Sequence, residues 1–324
     1  MERAAQIKVV GGPEAIGWID VELPPPAPGD VRMRNVVVGL NFIDTYHRSG
    51  LYPLALPSGL GLEAAGVIEA LGEGVEDWRV GDRVCCFGPS LGAYATARNI
   101  PAACLFIIPD DISDETAAAG ILKGCTTEFL VERCAKVQPT WDVLVHAAAG
   151  GVGLMLVQWL KHVGANVIGT VSTDEKAALA RAAGADHVIL YGKEDVAKQV
   201  RLLTKNKGVE VVFDGVGRAT WEASLDSARR RGMIVSYGNA DAPVSGVNLG
   251  VLAQKGSLYS TRPTLFDYYH HAAERAAGSE YVFDMFRQGI INVNIGQRYR
   301  LEDAAQAHAD LEGRNTTGST VLIV

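Results

Sequence analysis

The stretch with the most chemical content is Val143-Leu144-Val145-His146-Ala147-Ala148-Ala149-Gly150-Gly151-Val152-Gly153, followed by the apolar Leu154-Met155-Leu156-Val157-Gln158-Trp159-Leu160. It reads as a buried strand, a tight turn of small residues, and a helix. In that order, the main-chain N–H groups of Gly150, Gly151 and Val152 can approach a pyrophosphate at a helix N-terminus, where unpaired donors and the helix dipole favour an anion. Ala148-x-Gly150-x-x-Gly153 has the dinucleotide-binding spacing, with alanine at the first glycine position. A degenerate glycine turn alone is a weak sign, so its weight comes from the strand before it and the helix after it. An NAD site places a carboxylate at the end of the second strand, about 20 residues on, to take the ribose hydroxyls. Here that place reads Gly169-Thr170-Val171-Ser172-Thr173, with Lys176 one helical turn later. The hydroxyls of Thr170 and Ser172 and the Lys176 ammonium suit a 2′-phosphate, which points to NADPH. Asp174 and Glu175 are read as helix-start residues that complement the dipole.

These residues need a scaffold of alternating strands and helices, and the alternation is regular from Trp141 onward. Strands are predicted at 166–171, 187–191, 210–214, 233–238 and 257–261, with helices at 174–183, 195–204 and 220–229. Such a pattern folds as a parallel sheet covered by helices on both faces. Upstream, residues 4–38 alternate like strands, the clearest lying at 31–38, and glycines recur at turn-like intervals over 57–84; another strand starts at 91–95. This part reads as a compact, barrel-like unit. Ser113 caps a helix, a second helix is predicted at 126–135, and two amphipathic helices, around 280–286 and over 301–311, precede a strand at 319–324.

The chain has 324 residues, 48% of them hydrophobic, and a net charge of −7, enough for about two domains. No apolar run approaches ~18 residues and no basic-then-apolar leader is seen, so the expectation is a cytoplasmic protein with no membrane partner. The acidic balance, with Arg229-Arg230-Arg231 as its one notable basic cluster, argues against nucleic acid. Five cysteines with no C-x-x-C pair argue for a reducing compartment.

The glycine turn does not stand alone. Asn41-Phe42-Ile43-Asp44-Thr45-Tyr46, Arg48-Ser49-Gly50-Leu51-Tyr52, Leu56-Pro57-Ser58-Gly59-Leu60-Gly61, Gly215-Val216-Gly217, Gln254-Lys255-Gly256-Ser257 and Thr261-Arg262-Pro263-Thr264 accompany it. With these motifs the chain closely resembles, nearly end to end, the zinc-independent quinone oxidoreductases of the medium-chain dehydrogenase/reductase superfamily, the relatives of ζ-crystallin. The resemblance implies an α/β fold in which a Rossmann doubly wound parallel sheet, residues 125–263, is inserted into a GroES-like β-barrel catalytic domain made of residues 1–124 and 264–324. Where zinc-dependent members place their catalytic ligands, this chain has Asn41, Leu62 and Lys123, none of which supplies a thiolate or imidazole. No metal is expected.

The resemblance also implies cofactor contacts. They are Asn41 and Thr127 near the nicotinamide, Lys123, Tyr191 as a further phosphate contact, Val216, Tyr237, Gly238, Asn239, Thr261 and Arg262 beyond the strand ends, and Arg314 near the pyrophosphate or adenosine. The family usually has phenylalanine where Tyr237 stands. Asn41, Tyr46 and Tyr52 are the catalytic candidates, the tyrosines as groups that stack on or hydrogen-bond a flat acceptor and are able to donate a proton. Hydride transfer to a quinone needs no Lewis acid, because the acceptor is already electron-poor. The implied activity is therefore metal-free reduction of a quinone, or another electron-poor small molecule, by NADPH. NADPH-dependent reduction of an enone or enal double bond is the alternative on the same scaffold. A crystallin-like structural or RNA-binding role is the non-enzymatic alternative, disfavoured by the acidic balance and by the retained glycines and Lys176. The last strand, Gly256-Ser257-Leu258-Tyr259-Ser260, would leave an open sheet edge, so a homodimer is expected.

Overall fold

Turn residues and alternating apolar positions in the first third of the chain build mainly antiparallel strands. The computed structural model describes all 324 residues. One unit comprises Met1–Lys123, His271–Arg287 and Val293–Val324; the other comprises Gly124–His270 and Gln288–Asn292.

In the first unit β1 (Glu2–Ile7) and β2 (Ile16–Val21) form a hairpin. They are followed by β3 (Asp30–Leu40), α1 (Phe42–Ser49), β4 (Glu63–Leu71), β5 (Arg83–Cys86), β6 (Ala97–Pro101), β7 (Leu105–Ile107) and α2 (Asp114–Glu128), within which the division between units falls. In β3, Val31, Met33, Asn35 and Val37 are buried alternately; a bulge between Asn35 and Val37 then changes the phase, and Val38 and Leu40 are buried too. Asn35 fixes this point by donating from its side-chain amide to Ala93 O at 3.0 Å and Ala95 O at 2.8 Å. The expected strand at 91–95 is displaced to β6, and the main chain of Tyr94 makes isolated bonds instead, its carbonyl accepting from Ala5 N–H at 2.8 Å and its N–H donating to Leu60 O at 2.9 Å.

Ser113 caps α2 as predicted, its Oγ accepting from Thr116 N–H at 3.1 Å. The separate helix expected at 126–135 is a continuation of α2 through a π-helical turn, Phe129–Cys134. The wider turn lets Arg133 reach Glu128, five residues back, at 2.6 Å.

The second unit continues with β8 (Asp142–Val145), α3 (Gly151–Val163), β9 (Asn166–Val171), α4 (Asp174–Ala182), β10 (His187–Leu190), α5 (Val196–Leu203), β11 (Val209–Asp214), α6 (Trp221–Ser227), β12 (Ala228–Ser236), α7 (Gly250–Gln254), β13 (Tyr259–Thr261) and α8 (Leu265–Tyr268). Its six strands are all parallel, in the order β10-β9-β8-β11-β12-β13. The direction of winding reverses between β8 and β11, and in such sheets ligands bind outside the carboxyl ends at that point. Val143, Leu144 and Val145 are wholly buried, as suits strands covered on both faces. β12 starts earlier than the predicted 233–238 because Ala228 already pairs with Val209; Arg229, Arg230 and Arg231 then bulge out, exposed.

The chain returns to the first unit with α9 (Ala272–Arg287), β14 (Ile295–Arg300), α10 (Ala304–Glu312) and β15 (Ser319–Ile323). The first unit's main sheet runs β14-β15-β3-β4-β5-β7, with β6 also pairing with β3. No helix is long and apolar enough to cross a membrane.

Candidate active site

At the carboxyl edge of the parallel sheet the chain leaves β8 through His146 and turns into α3. Ala147 lies at φ +53°, a conformation that residues with a Cβ rarely adopt, and its carbonyl accepts from Gly150 N–H at 3.0 Å. A Cβ at Gly153 would lie 2.2 Å from Ala147 O, so the close approach of helix to turn requires glycine there. Gly150 caps α3, and Gly151 and Val152 open its first turn, where N–H groups have no carbonyl within the helix to bond. This donor set fits a pyrophosphate.

Ser172, half-buried, follows β9, and Lys176 sits in the first turn of α4, its N–H bonded to the Thr173 cap at 3.3 Å. Tyr191 follows β10, 42% exposed, with its N–H bonded to Val171 O at 3.2 Å. Asp174 is engaged by Lys193 at 2.9 Å. Thr170 departs from the expectation for its hydroxyl: the residue is buried within β9, and Oγ1 lies 3.0 Å from His146 Nδ1. The other His146 nitrogen is 3.1 Å from Ser224 Oγ, and burial pushes this imidazole below its ordinary pKa.

Asp214, at the end of β11, organises the neighbouring turns. Its Oδ1 accepts from the N–H groups of Val216 and Gly217 at 2.9 and 3.0 Å, and Oδ2 accepts from Ser224 Oγ at 2.7 Å. Its main-chain carbonyl accepts from Tyr237 N–H at 2.8 Å. Gly238 packs so closely on Gly215 that a Cβ would lie 2.4 Å from Gly215 O. With its amide oriented to satisfy both partners, Asn239 accepts from Arg262 Nη2 at 3.1 Å, while Arg262 Nη1 donates to Ser236 O at 3.0 Å. Thr261 ends β13 and Thr127 is buried on α2. The structure thus brings Gly150, Gly151, Val152, Ser172, Lys176, Tyr191, Val216, Tyr237, Gly238, Asn239, Thr261 and Arg262 to the same edge of one sheet, in the residues that end or follow its six strands and in the first turns of α3 and α4.

Asn41, Tyr46, Tyr52, Lys123 and Arg314 belong to the first unit. Gly39 pairs with Glu63 across β3 and β4, and a Cβ there would lie 2.3 Å from Glu63 Oε2. The fully buried Glu63 carboxylate collects the Asn41 side-chain amide at 2.8 Å, the Lys123 ammonium at 3.3 Å and the Leu122 N–H at 2.7 Å. Asp44 accepts from Asn41 N–H at 2.9 Å and from the Tyr94 hydroxyl at 3.1 Å, and burial raises its pKa to about 7. The rings of Tyr46 and Tyr52 meet edge to face at 5.2 Å, and Tyr52 N–H donates to Tyr46 O at 3.0 Å. Arg314 is exposed after α10, at φ +60°.

Zinc does not fit the donors at the positions expected of its ligands. The Asn41 amide and Lys123 ammonium donate to Glu63, and Leu62 is a buried apolar side chain. Glu63, Asp44, Tyr94, His308 and Asp214 were not singled out from the sequence. Only Asp44 carried a local signal, the Asn-x-x-Asp spacing of a helix start; Tyr94 and His308 are 214 positions apart.

Residues 27–139 match the alcohol dehydrogenase GroES-like domain, and residues 151–270 match the zinc-binding dehydrogenase family. A quinone oxidoreductase of Pseudomonas aeruginosa is 49% identical over 324 residues, covering 100% of both chains. A 2-haloacrylate reductase of a Burkholderia species is 45% identical, covering 100% of this chain and 99% of its own. The crystal structure of Escherichia coli quinone oxidoreductase complexed with NADPH matches with a TM-score of 0.97 at 46% identity, over 99% of this chain and 100% of its own. On this full-length identity and shared architecture, the chain belongs to the quinone oxidoreductase family of the medium-chain dehydrogenase/reductase superfamily.

Proposed function

We propose that the protein is an NADPH-dependent quinone reductase that works without a metal. The observation that carries this reading is the donor set at the carboxyl edge of the parallel sheet, where the α3 N-terminus, Ser172 and Lys176 suit a pyrophosphate and a 2′-phosphate, and the nearby Asp174 is engaged by Lys193. A relative that is 46% identical is described as complexed with NADPH. Bound NADPH supplies the hydride. Lys176, Ser172 and Tyr191 hold the phosphate end. Gly150, Gly151 and Val152 cradle the pyrophosphate, and Val216, Tyr237, Gly238, Asn239, Thr261 and Arg262 line the run of the dinucleotide. Arg314 contributes at the pyrophosphate or adenosine, and Asn41, Lys123 and Thr127 at the nicotinamide.

Tyr46 and Tyr52 offer an aromatic pair to a flat acceptor. A quinone that accepts hydride becomes a hydroquinone anion with its charge delocalised, and solvent supplies the proton, so an acid side chain has little left to contribute. The 2-haloacrylate reductase at 45% identity favours a second reading, hydride delivery to an electron-poor C=C bond. We also read the chain as a cytoplasmic homodimer. Five free cysteines suit a reducing compartment, and β13 is an edge strand whose Tyr259 is 61% exposed.

Steady-state NADPH oxidation against quinones, enones and 2-haloacrylates tests the reading. A kcat/KM highest for a quinone supports it, turnover confined to C=C acceptors supports the second reading, and failure to bind NADPH defeats both.

A further inference from the structure

Hydrogen bonds run through the core of the first unit from Asn41 to Glu312. Asp44 Oδ2 accepts from Asn41 N–H at 2.9 Å and from the Tyr94 hydroxyl at 3.1 Å. The Tyr94 hydroxyl lies 2.9 Å from His308 Nε2, and His308 Nδ1 lies 3.3 Å from Arg48 Nη1. Arg48 forks onto the Glu312 carboxylate at 2.9 and 2.7 Å. Asp44, Tyr94 and His308 are wholly buried and Arg48 is 2% exposed.

The proton positions follow from which groups can donate. A guanidinium only donates, so the His308 Nδ1 facing it carries a lone pair and the imidazole proton is on Nε2. That N–H donates to Tyr94 Oη and leaves the tyrosine proton directed at Asp44. Burial and Arg48 hold the His308 pKa down to about 3, in keeping with a neutral ring. Arg48 does not release a proton, so the chain cannot carry protons in from Glu312. It serves as a brace. Asn41 is held at its end by two carboxylates, Asp44 on the main chain and Glu63 on the side-chain amide.

We infer that Tyr94 and His308 are positioning residues of the reaction, acting through Asp44 on Asn41. The inference rests on the reading that Asn41 serves the nicotinamide or the acceptor. Asp44 Oδ1 has no partner, so the Tyr94 hydroxyl is one of two donors holding this carboxylate, the other being Asn41 itself. Lys123 and Glu63 are the other charged groups acting on Asp44, and Arg48 is the one acting on His308. Removing the hydroxyl leaves the His308 N–H without its acceptor and frees Asp44 to turn, which loosens the α1 start that fixes Asn41.

Two measurements test this in the full-length protein. The first is the Asn41 side-chain amide signal in 15N-asparagine-labelled protein, assigned by its loss in Asn41→Ala. Tyr94→Phe should shift it while leaving the Asn166 and Asn206 amides of the second unit in place; an unmoved Asn41 signal overturns the inference. The second is kcat with 1,4-benzoquinone. Tyr94→Phe should lower it about tenfold at an unchanged NADPH dissociation constant, and by less than about twofold in an Asp44→Asn background. Equal losses in both backgrounds overturn the inference. If Tyr94→Phe does not fold, His308→Gln, whose amide can still donate to Tyr94, should keep the activity that His308→Leu loses; equal activity in these two overturns it. A shifted Asn41 signal in a protein whose wild type reduces no quinone leaves the brace standing and defeats the quinone reading alone.

Discussion

The Lys123 ammonium lies 3.3 Å from the Glu63 carboxylate, and both are closed to solvent. Removing one partner of a buried pair strands the other's charge and costs about 3–5 kcal/mol, whereas replacing both by uncharged residues of similar size costs far less. Glu63→Gln and Lys123→Met should each lower unfolding free energy in urea by that amount, and the double variant by less than the sum. Additive losses would show that the two side chains do not act as a pair.

Gly153 touches the turn it follows, with room for no further carbon between it and Ala147 O. Gly153→Ala should push α3 off the turn, destabilise the protein by about 1–3 kcal/mol, and weaken NADPH binding beyond detection by fluorescence titration. Wild-type affinity in this variant would show that the turn tolerates the shift and that the spacing is not what binds the cofactor.

Lys176 opens α4 beside the end of β9. A charge-assisted contact to phosphate is worth about 1.5–3 kcal/mol, or roughly 10- to 150-fold in affinity. Lys176→Ala should raise the apparent constant for NADPH by that factor and leave NADH nearly unchanged. Equal losses for both cofactors would make the lysine a structural residue of the helix start.

Burial holds the Asp44 carboxyl at about 7, against about 4 in an unfolded chain. Between those values the folded protein keeps a proton that the unfolded chain has released. Asp44's contribution to stability is therefore full at acid pH and is lost as pH rises toward 7, by up to about 4 kcal/mol. The stability difference between wild type and Asp44→Asn should move against wild type from about pH 4.5 to about pH 7.5 and then level off. A pH-independent difference would show that Asp44 is ionised throughout.

Local patterns were enough to locate the glycine turn between strand and helix, the hydroxyls and lysine after β9, and the strand–helix alternation of the second unit, because each depends on neighbours within one element or turn. The motifs around Asn41 and Thr261 likewise pointed to the family. The π-helical turn escaped because the apolar spacing of α2 simply runs on, and β14 escaped because its partly exposed Ile295-Gly296-Gln297-Arg298-Tyr299-Arg300 carries little apolar alternation. Thr170 was read as a ligand contact, yet the twofold alternation of a strand turns its hydroxyl inward to His146. The Glu63 cluster depends on the pairing of β3 with β4, which sets a carboxylate over Gly39. The Asp44–Tyr94–His308 brace depends on α10 returning to the first unit more than 200 residues after Tyr94. No spacing rule joins positions so far apart, so only tertiary packing could bring these polar groups to the one buried place where each satisfies the next.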